Sequence, residues 1–323
     1  MTPRGSIIRR CKELGFTRVR LLASEAAGLP FPSGTFVLCG LSCHRREIAD
    51  GSRPGDPHGL IAPFARRNYY REAVLRLKIL VREIGAQTGV TRSQCRIFCN
   101  SRLPEKRLAA RAGLGFYGRN SLIIAPELGS LFVIAGVFVP LVWEPDPPLE
   151  GDPGPGGHCG TCRACIEACP TGAVSEAGRI DPLRCIQALS TDPAVLADDI
   201  KEKWGARLYG CQTCQDVCFF NRELEVETET CLGELGPSLP LRRILEQSSE
   251  GLRASLKASV LDRKWIPAAA IQRNAVLAAG SRRDRAVQPL VERYRRHALP
   301  GLSDAAEWAL RRFSRSRFDK ADL

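Results

Sequence analysis

The chain has 323 residues and 44% hydrophobic residues, which is typical of a globular protein with one or two domains. It carries 14 Cys, although a chain of this length can bury enough apolar surface to need no disulfides. No signal-peptide pattern and no run of about 18 apolar residues occurs, so we expect a cytoplasmic protein without a membrane partner. In a reducing compartment, clustered cysteines indicate metal or redox chemistry.

The charge is unevenly distributed along the chain. The formal net charge is +12, and from Leu241 to Leu323 18 Lys and Arg stand against 9 Asp and Glu. A basic terminal module predicts a polyanionic partner, with nucleic acid as the first candidate, and an ordinary solvated helical surface as the alternative.

Residues 1–143 are predicted to form a mixed α/β domain. The segment "SIIRRCKELGFTRVRLL" predicts a helix that ends near Gly15 and a strand after it, and "GTFVLCGLSC" predicts a buried strand. One long amphipathic helix is expected in "APFARRNYYREAVLRLKILVREIGAQTGV", a short strand in "QCRIFCN" and a helix in "EKRLAARAGLG". The segment "SLIIAPELGSLFVIAGVFV" predicts a β-hairpin that turns at "PELG".

The remainder of the chain divides into three further parts. Residues 144–157 are rich in Pro and Gly and predict a linker, and residues 158–222 hold two cysteine motifs. After an acidic connector, residues 239–323 predict three amphipathic helices of similar length, in "WIPAAAIQRNAVLAAG", "RDRAVQPLVERYRRHA" and "SDAAEWALRRF". This pattern resembles one and a half HEAT-type repeats, enough for a docking module but not for a solenoid.

The cysteine spacing predicts two [4Fe–4S] clusters in a ferredoxin-like module. "CGTCRACIEACP" has the spacing C-x2-C-x2-C-x3-C-P, in which the fourth cysteine ligates the other cluster. "CQTCQDVC" supplies C-x2-C-x3-C, and Cys185 lies upstream of it. We call the two predicted ligand groups the first set and the second set; they are Cys159, Cys162, Cys165 and Cys218, and Cys169, Cys185, Cys211 and Cys214.

A zinc site is the alternative interpretation of these cysteines. Zinc takes four ligands, commonly from two separated C-x2-C pairs, and the ferredoxin-type run fits that pattern less well. The remaining cysteines are expected to be mostly ordinary buried thiols; they are Cys11, Cys39, Cys43, Cys95, Cys99 and Cys231. Two clusters indicate electron transfer, and the large domain ahead of them indicates that the electrons go to something held there.

Three regions resemble the epoxyqueuosine reductases, which are cobalamin-dependent iron–sulfur enzymes of tRNA modification. "AGLGFYGRNSLIIAPELGS" is similar to the family's "AGLGW-GKNSLLI…GS", and the cysteine region "HCGTCRACIEACPTGA…RCI…YGCQTCQDVC" matches along its length. "IQRNAVLAAG…AAEWAL" resembles the family's C-terminal HEAT-like helices, which contact tRNA. The resemblance covers nearly the whole chain.

The resemblance implies a cobalamin between the N-terminal domain and the clusters, which pass it electrons from an external donor. The reduced cobalt then helps to remove the epoxide oxygen from the modified wobble base of a tRNA, whose anticodon region would be held by the basic C-terminal module. The cobalamin contacts that the resemblance implies are Gly113, Gly115, Asn120, Ser121, Gly129, Ser130 and Gln212. A tight structural turn is the alternative for the glycine-rich loop.

The proton-donor segment departs from the family pattern. The family has an aspartate in "VDSGP-LER", whereas "FCNSRLPEKR" places Cys99 or Asn100 at that position, and Glu105 matches a Glu that the family already has. Tyr69 and Tyr70 lie where the family has the tyrosine and histidine of "RDYH", although both also fit as aromatic residues of an amphipathic helix. The catalytic candidates are therefore Asn100, Cys99, Tyr69 and Tyr70.

Three functions follow in order of preference. The first is the reduction of epoxyqueuosine to queuosine in tRNA, which the basic C-terminal module favours. The second is a corrinoid iron–sulfur reductase with another substrate, such as a small molecule as in the related reductive dehalogenases, which the altered "CNS" and "NYY" segments favour. The third is a ferredoxin-like electron carrier, which the resemblance in the glycine-rich loop disfavours.

Overall fold

The computed structural model describes residues 3–44, 50–149, 154, 156–224, 228 and 230–314. Parts of the predicted linker and acidic connector, and the end of the basic module, lie outside the described residues. The strands are β1 (Arg18–Ala23), β2 (Thr35–Ser42), β3 (His58–Ile61), β4 (Arg96–Cys99), β5 (Phe116–Tyr117), β6 (Ile123–Ile124), β7 (Phe132–Val139), β8 (Arg207–Tyr209) and β9 (Ser238–Pro240).

Helices are spread along the whole chain. The α-helices are α1 (Pro3–Glu13), α2 (Ser24–Ala27), α3 (Pro63–Arg66), α4 (Tyr69–Thr88), α5 (Glu105–Arg111), α6 (Ala164–Glu167), α7 (Ile186–Leu189), α8 (Asp198–Lys203), α9 (Thr213–Asp216), α10 (Leu241–Leu245), α11 (Ser249–Ser255), α12 (Ala268–Arg282), α13 (Gln288–Glu292) and α14 (Pro300–Ser314). Short 3₁₀ turns are Arg92–Gln94, Gly157–Cys159, Phe219–Asn221, Arg285–Val287 and Arg293–Arg296. None of these helices is long and apolar enough to cross a membrane.

The N-terminal domain is built on an antiparallel sheet with the strand order β1-β2-β7-β4. Every residue of β2 is buried, because helices cover both faces of the sheet. One face packs Leu41 and Val137 against Leu77 of α4, and the other packs Phe36 against Leu108 of α5. The predicted α/β layering of this domain is therefore confirmed, and so are its first helix and strands.

The long helix predicted across residues 62–90 is interrupted near its start. The α3 helix ends at Arg66 and α4 begins at Tyr69, because Asn68 acts as an N-cap whose side chain accepts the N–H of Arg71. The Asn68 amide also donates to the carbonyl of Ala258 at 2.8 Å. The interruption therefore ties α4 to the C-terminal helices.

The hairpin predicted for residues 121–139 is wrong. Strand β6 pairs with β5 instead, with Phe116 opposite Ile124, while β7 lies in the middle of the main sheet. Only an isolated bridge between Ala125 and Gly129 closes the turn at "PELG". The apolar run was long enough for two strands, but its second half finds partners in β2 and β4, which are distant in sequence.

A small second sheet joins the three predicted modules. Its order is β8-β3-β9, so one strand comes from each of the segments 1–143, 158–222 and 239–323. Leu60 of β3 lies opposite Arg207 on one side and Ser238 on the other. The modules that the sequence separates are therefore interleaved.

The C-terminal helices and the cysteine region share one hydrophobic core. This core includes Ile186, Trp204 and Leu208 together with Ile271 of α12 and Leu302 of α14. The expectation of three similar amphipathic helices is wrong, because the middle segment breaks into α13 and 3₁₀ turns, and α12 is buried on nearly all sides.

Buried polar residues fix this arrangement. Arg273 of α12 donates to the carbonyls of Leu189 at 2.7 Å and Ala194 at 3.1 Å, and Asn274 donates to those of Ser190 and Leu208. Arg273 and Asn274, the last two residues of "QRN", therefore fix the cysteine region against α12.

The described part of the predicted linker is fixed rather than loose. Asp146 is 5% exposed, forms ion pairs with Arg4 and Arg20, and accepts the backbone N–H of Leu21 at 2.8 Å. Residues 144–149 are irregular, as predicted, but they are bound to β1.

Candidate functional site

All eight predicted cluster cysteines are half-buried and lie on loops or at the ends of very short helices. Backbone amides point towards their sulfurs: the N–H of Ala173 lies 3.2 Å from Cys169 Sγ, and that of Arg119 lies 3.5 Å from Cys159 Sγ. Burial would raise the pKa of Cys169, but N–H donors outweigh it and the pKa is lowered. These donors suit anionic thiolate ligands.

The pKa shifts of the cysteines show which of them are neighbours, because a nearby thiolate raises the pKa of another thiol. By this criterion they form two groups. Burial, and after it the negative charge of the other three members of the first set, raise the pKa of Cys165 to about 11. Burial also raises the pKa of Cys185, whose thiolate neighbours are Cys211 and Cys169 of the second set. Cys218 has its thiolate neighbours in the first set. Cys169 and Cys218 thus lie on the sides that a ferredoxin-type exchange requires.

The two groups lie beside each other. Burial raises the pKa of Cys214, and its neighbouring thiolates include Cys165 of the first set as well as members of its own. We call this point of approach between the two groups the Cys165–Cys214 junction.

The cysteines are not arranged for a single ion. Within the described ranges, no three His, Cys, Asp or Glu side chains converge closely enough to hold one metal ion. Zinc needs all its ligands about 2.0–2.3 Å from one point. A cubane instead carries its cysteines on separate irons.

A cavity of about 760 Å³ lies between the N-terminal domain and the cysteine region. This volume is within the range of about 300–1,000 Å³ that is usual for ligand sites. Tyr70, Asn100 and Asn120 lie in its wall on the N-terminal side. On the facing side lies the whole second set, Cys169, Cys185, Cys211 and Cys214, and no described lining residue belongs to the first set. Of the two sets, the second is therefore the one that adjoins the cavity.

The four residues predicted for catalysis do not share one place. Tyr70 and Asn100 line the cavity, Cys99 lines a neighbouring groove, and Tyr69 is fully buried in the core under the main sheet. Burial raises the pKa of Tyr70, and negative charge at Cys43 and Cys99 acts in the same direction, so its Oη stays protonated at neutral pH. Burial likewise raises the pKa of Cys99.

Glu105 is the acidic residue of the cavity wall, and no other Asp or Glu is among the described lining residues. Its carboxylate accepts the backbone N–H of Asn100 at 2.9 Å and that of Ser101 at 2.7 Å. Asn100 has a left-handed φ of 51°, a conformation that costs free energy for a residue with a side chain. Glu105 therefore stabilises the strained turn that presents Asn100 to the cavity.

The glycine-rich loop supplies two of its four predicted cobalamin contacts to the cavity. Asn120 is 4% exposed and Ser121 has a left-handed φ of 60°, and both line the wall. Lys106 fixes this turn by donating from Nζ to the carbonyl of Ser121 at 3.0 Å, and burial lowers the pKa of this lysine. Gly113 and Gly115 do not line the cavity.

Gly113 and Gly115 instead have structural reasons to be glycine. Gly113 has a φ of 68°, and a Cβ there would lie 2.9 Å from the carbonyl of Pro147. A Cβ at Gly115 would lie 2.4 Å from the carbonyl of Ile124 in β6. The alternative of a tight structural turn therefore describes these two positions.

Gly129 and Ser130 join the N-terminal domain to the cysteine region. Asn221 Oδ1 accepts the N–H of Ser130 at 2.7 Å, and Gln215 Nε2 donates to the Ser130 carbonyl at 2.8 Å. Gly129 has a φ of 53°, and a Cβ there would lie 2.0 Å from Asn221 Oδ1. Ser130 lines the cavity, whereas Gly129 lies at this junction and does not.

Gln212 leaves a polar atom without a partner. Its Oε1 is buried and forms no hydrogen bond with any described residue, although Cys211 and Thr213 on either side of it line the cavity. Buried polar atoms are nearly always paired, so this oxygen is a candidate contact for a bound group.

Residues 158–221 match the family of the 4Fe-4S double cluster binding domain. The chain is also similar in sequence to the epoxyqueuosine reductase of Bacillus subtilis (strain 168), with 34% identity over 217 residues, 64% of this chain and 53% of the relative. The enzyme of Staphylococcus aureus (strain NCTC 8325 / PS 47) is 36% identical over 180 residues, 54% of this chain and 44% of the relative.

The chain is homologous to the epoxyqueuosine reductases. The match spans about half the length of these curated relatives, at 53% and 44%. The similarity in fold covers more of the chain. An epoxyqueuosine reductase from Bacillus subtilis superposes with a TM-score of 0.80 at 25% identity, over 96% of this chain and 90% of that one. An epoxyqueuosine reductase crystallised with an epoxyqueuosine-modified tRNA-Tyr stem loop has a TM-score of 0.82 at 24% identity, over 97% and 90%.

Sequence reasoning missed four residues that shape the site. Lys106, Gln215 and Cys43 line the cavity, and Asn221 fixes Ser130. Asn221 was visible in the "CFFN" of the motif, but its role depends on a partner 91 residues away. No local pattern could have revealed that pairing.

Proposed function

We propose that this protein is a cobalamin- and iron–sulfur-dependent reductase that converts epoxyqueuosine to queuosine in tRNA. The observation that carries the proposal is a cavity whose walls combine Tyr70, Asn100 and Asn120 with all four cysteines of the second set. The likeness to epoxyqueuosine reductases in both sequence and fold supports the same reaction.

The residues present fit a cobalamin. Asn120, Ser121 and Ser130 lie in the wall, and the unpaired buried Oε1 of Gln212 lies between two lining residues. These polar groups would hold the amide side chains of the corrin, while apolar residues such as Leu122 and Val174 would contact its ring. When bound, cobalamin would supply a cobalt centre capable of one-electron redox chemistry, and removal of the epoxide oxygen would consume two electrons and two protons and release water.

Electron delivery follows the order of the cysteine groups. An external donor would reduce a cluster on the first set, and the electron would pass at the Cys165–Cys214 junction to a cluster on the second set. The second set lines the cavity, so a cluster held there would lie beside the space proposed for the cobalamin.

Tyr70 is the proton donor in this proposal. Of the four candidates, Tyr70 alone combines a place in the cavity wall with a titratable group, since Asn100 cannot ionise, Cys99 faces the groove and Tyr69 is in the core. Its raised pKa keeps Oη protonated at neutral pH.

Binding of tRNA would use the exposed cations of the C-terminal module. Arg242 and Arg243 of α10 and Arg295 and Arg296 before α14 are exposed, whereas Arg273 is buried and serves the fold. Contacts from such residues to phosphates position an RNA without reading its sequence.

A second candidate is a corrinoid reductase of another substrate. The observation in its favour is that the aspartate expected in "FCNSRLPEKR" is absent, and that Glu105 is engaged by two backbone N–H groups. A simple electron carrier would not need the cavity.

Nucleoside analysis of cellular tRNA separates the two candidates. Cells that lack this protein should accumulate epoxyqueuosine and lose queuosine, and wild-type protein should restore queuosine. A Cys214→Ser variant should fail to restore it. Unchanged queuosine in the deletion strain would favour a different substrate.

A further inference from the structure

A second concave surface opens beside the cavity. This side groove has a volume of about 510 Å³ and lies between α4 and the segment before α12. Tyr70 and Asn100 line both the cavity and the side groove, so the two spaces meet at these side chains. A polymeric ligand that places one unit in the cavity can therefore place the next unit in the side groove.

The side groove is lined by cations. Arg71 and Lys78 lie two turns apart on α4 and form no ion pair with any described residue, and Arg263 lies opposite them. The acidic lining residue is Asp262, whose Oδ2 accepts the N–H of Ala258 at 3.1 Å. The net charge of the lining is thus positive, and two of its cations are free to meet an anion.

The same groove exposes apolar surface that nothing in the described fold covers. Trp265 is 55% exposed and Leu75 is 40% exposed, and both are lining residues. The Arg263 guanidinium lies 5.9 Å from the centre of the Trp265 ring and supports it from one side. An exposed aromatic face beside free cations is the arrangement that binds single-stranded nucleic acid, where bases stack and phosphates meet Lys and Arg.

We propose that the side groove binds the nucleotide next to the one in the cavity, with its base on Trp265 and its phosphate at Arg71 and Lys78. This inference rests on the proposed function, because the RNA must enter the cavity for its neighbour to reach the groove. The subsite is formed jointly by α4 of the N-terminal domain and by residues 258–265 of the C-terminal module. The occupant is a single-stranded nucleotide of the RNA substrate.

A double-mutant cycle between protein and RNA tests this subsite. The probe is a fluorescently labelled anticodon stem loop, in its intact form and with an abasic nucleotide on either side of the wobble position. Trp265→Ala should weaken binding of the intact probe by about 5- to 150-fold, the range expected for loss of one stacked base. With one of the two abasic probes the same substitution should have little further effect, because the stacked base is already absent.

The charge contacts are tested by salt dependence. Arg71→Gln and Lys78→Gln should each reduce the slope of log affinity against log salt by about 0.7. Lys12→Gln removes the same charge from α1, outside the groove, and should leave the slope unchanged. Iron content and circular dichroism confirm that each variant is folded.

The outcomes separate the subsite from the proposed function. If wild-type protein binds the stem loop and the groove variants bind it equally well, the subsite is wrong and the proposed function stands. If wild-type protein does not bind the stem loop at low salt, both fail. Additive losses for Trp265→Ala and both abasic probes would also overturn the stacking assignment.

Discussion

At the scale of single residues, the structure distinguishes side chains that the sequence treats alike. Tyr69 and Tyr70 are neighbours in one motif, yet one is buried in the core and the other lines the cavity. The helical periodicity of α4 could not decide between them, because both lie in its first turn, where the interruption at Asn68 sets the orientation.

We expect Tyr70→Phe to lower the rate of epoxyqueuosine reduction by about 10²-fold or more, because it removes the hydroxyl that would donate the proton. Tyr69→Phe is the matched control, since it makes the same chemical change one residue away in the core. Its rate should stay near that of wild type. Equal rates for the two variants would remove Tyr70 from proton delivery.

Asn100→Asp would restore an acid at the place where the family has one. The side chain already lines the cavity, and Glu105 holds the turn. We expect the rate to rise or its pH optimum to move downward, because a carboxylic acid near pKa 4 must be protonated to donate. An unchanged pH–rate profile would show that position 100 takes no part in proton transfer.

At the scale of elements, local patterns predicted those whose partners are near in sequence. The first helix and strand, the buried β2 and the helix in "EKRLAARAGLG" are where periodicity places them. The error at residues 121–139 arises because pairing with distant strands decided the outcome. In the segment 283–298, Asp284 caps a short 3₁₀ turn and a proline follows at the start of α13, so no continuous helix forms.

Contact with a residue distant in sequence also explains why position 129 is a glycine. The sequence predicts a cobalamin contact there, and the structure shows a left-handed residue packed against Asn221. Gly129→Ala should lower the stability of the folded protein by about 2–4 kcal/mol, from backbone strain and the displaced amide together.

Gly89→Ala measures the cost of backbone strain alone, without the steric clash that a Cβ would cause at position 129. Gly89 has a φ of 77°, and a Cβ added there would meet nothing within 4 Å, so the substitution should cost about 1–2 kcal/mol. Thermal unfolding of the iron-loaded proteins should therefore rank wild type first, then Gly89→Ala, then Gly129→Ala. The reverse order of the two variants would contradict the junction assigned to Gly129.

At the scale of the whole molecule, the predicted modules are not independent units. One small sheet takes a strand from each of three modules, and one core joins the cysteine region to the C-terminal helices. Domain boundaries drawn from composition could not show this, because pairing between β3, β8 and β9 leaves no local signal. Deletion from Leu239 would expose Trp204 and Leu208, so tests of RNA binding need single substitutions.

The exchange of ligands between the two cysteine groups is also a property of the whole fold. Intact protein should contain about eight irons and eight sulfides. Cys165→Ser with Cys218→Ser should remove one cluster and leave about four irons, because both residues are assigned to the first set. Cys165→Ser with Cys169→Ser should disturb both clusters. Equal iron content in the two double variants, or stoichiometric zinc in the wild type, would contradict the assignment.

The most direct measurement of the central claim is a single turnover with purified components. Protein with both clusters and bound cobalamin is reduced anaerobically, mixed with tRNA that carries epoxyqueuosine, and quenched for nucleoside mass spectrometry. The proposed function predicts that queuosine appears as epoxyqueuosine disappears, and that protein lacking cobalamin forms none. Epoxyqueuosine that persists on bound tRNA, with clusters reduced and cobalamin in place, would contradict it.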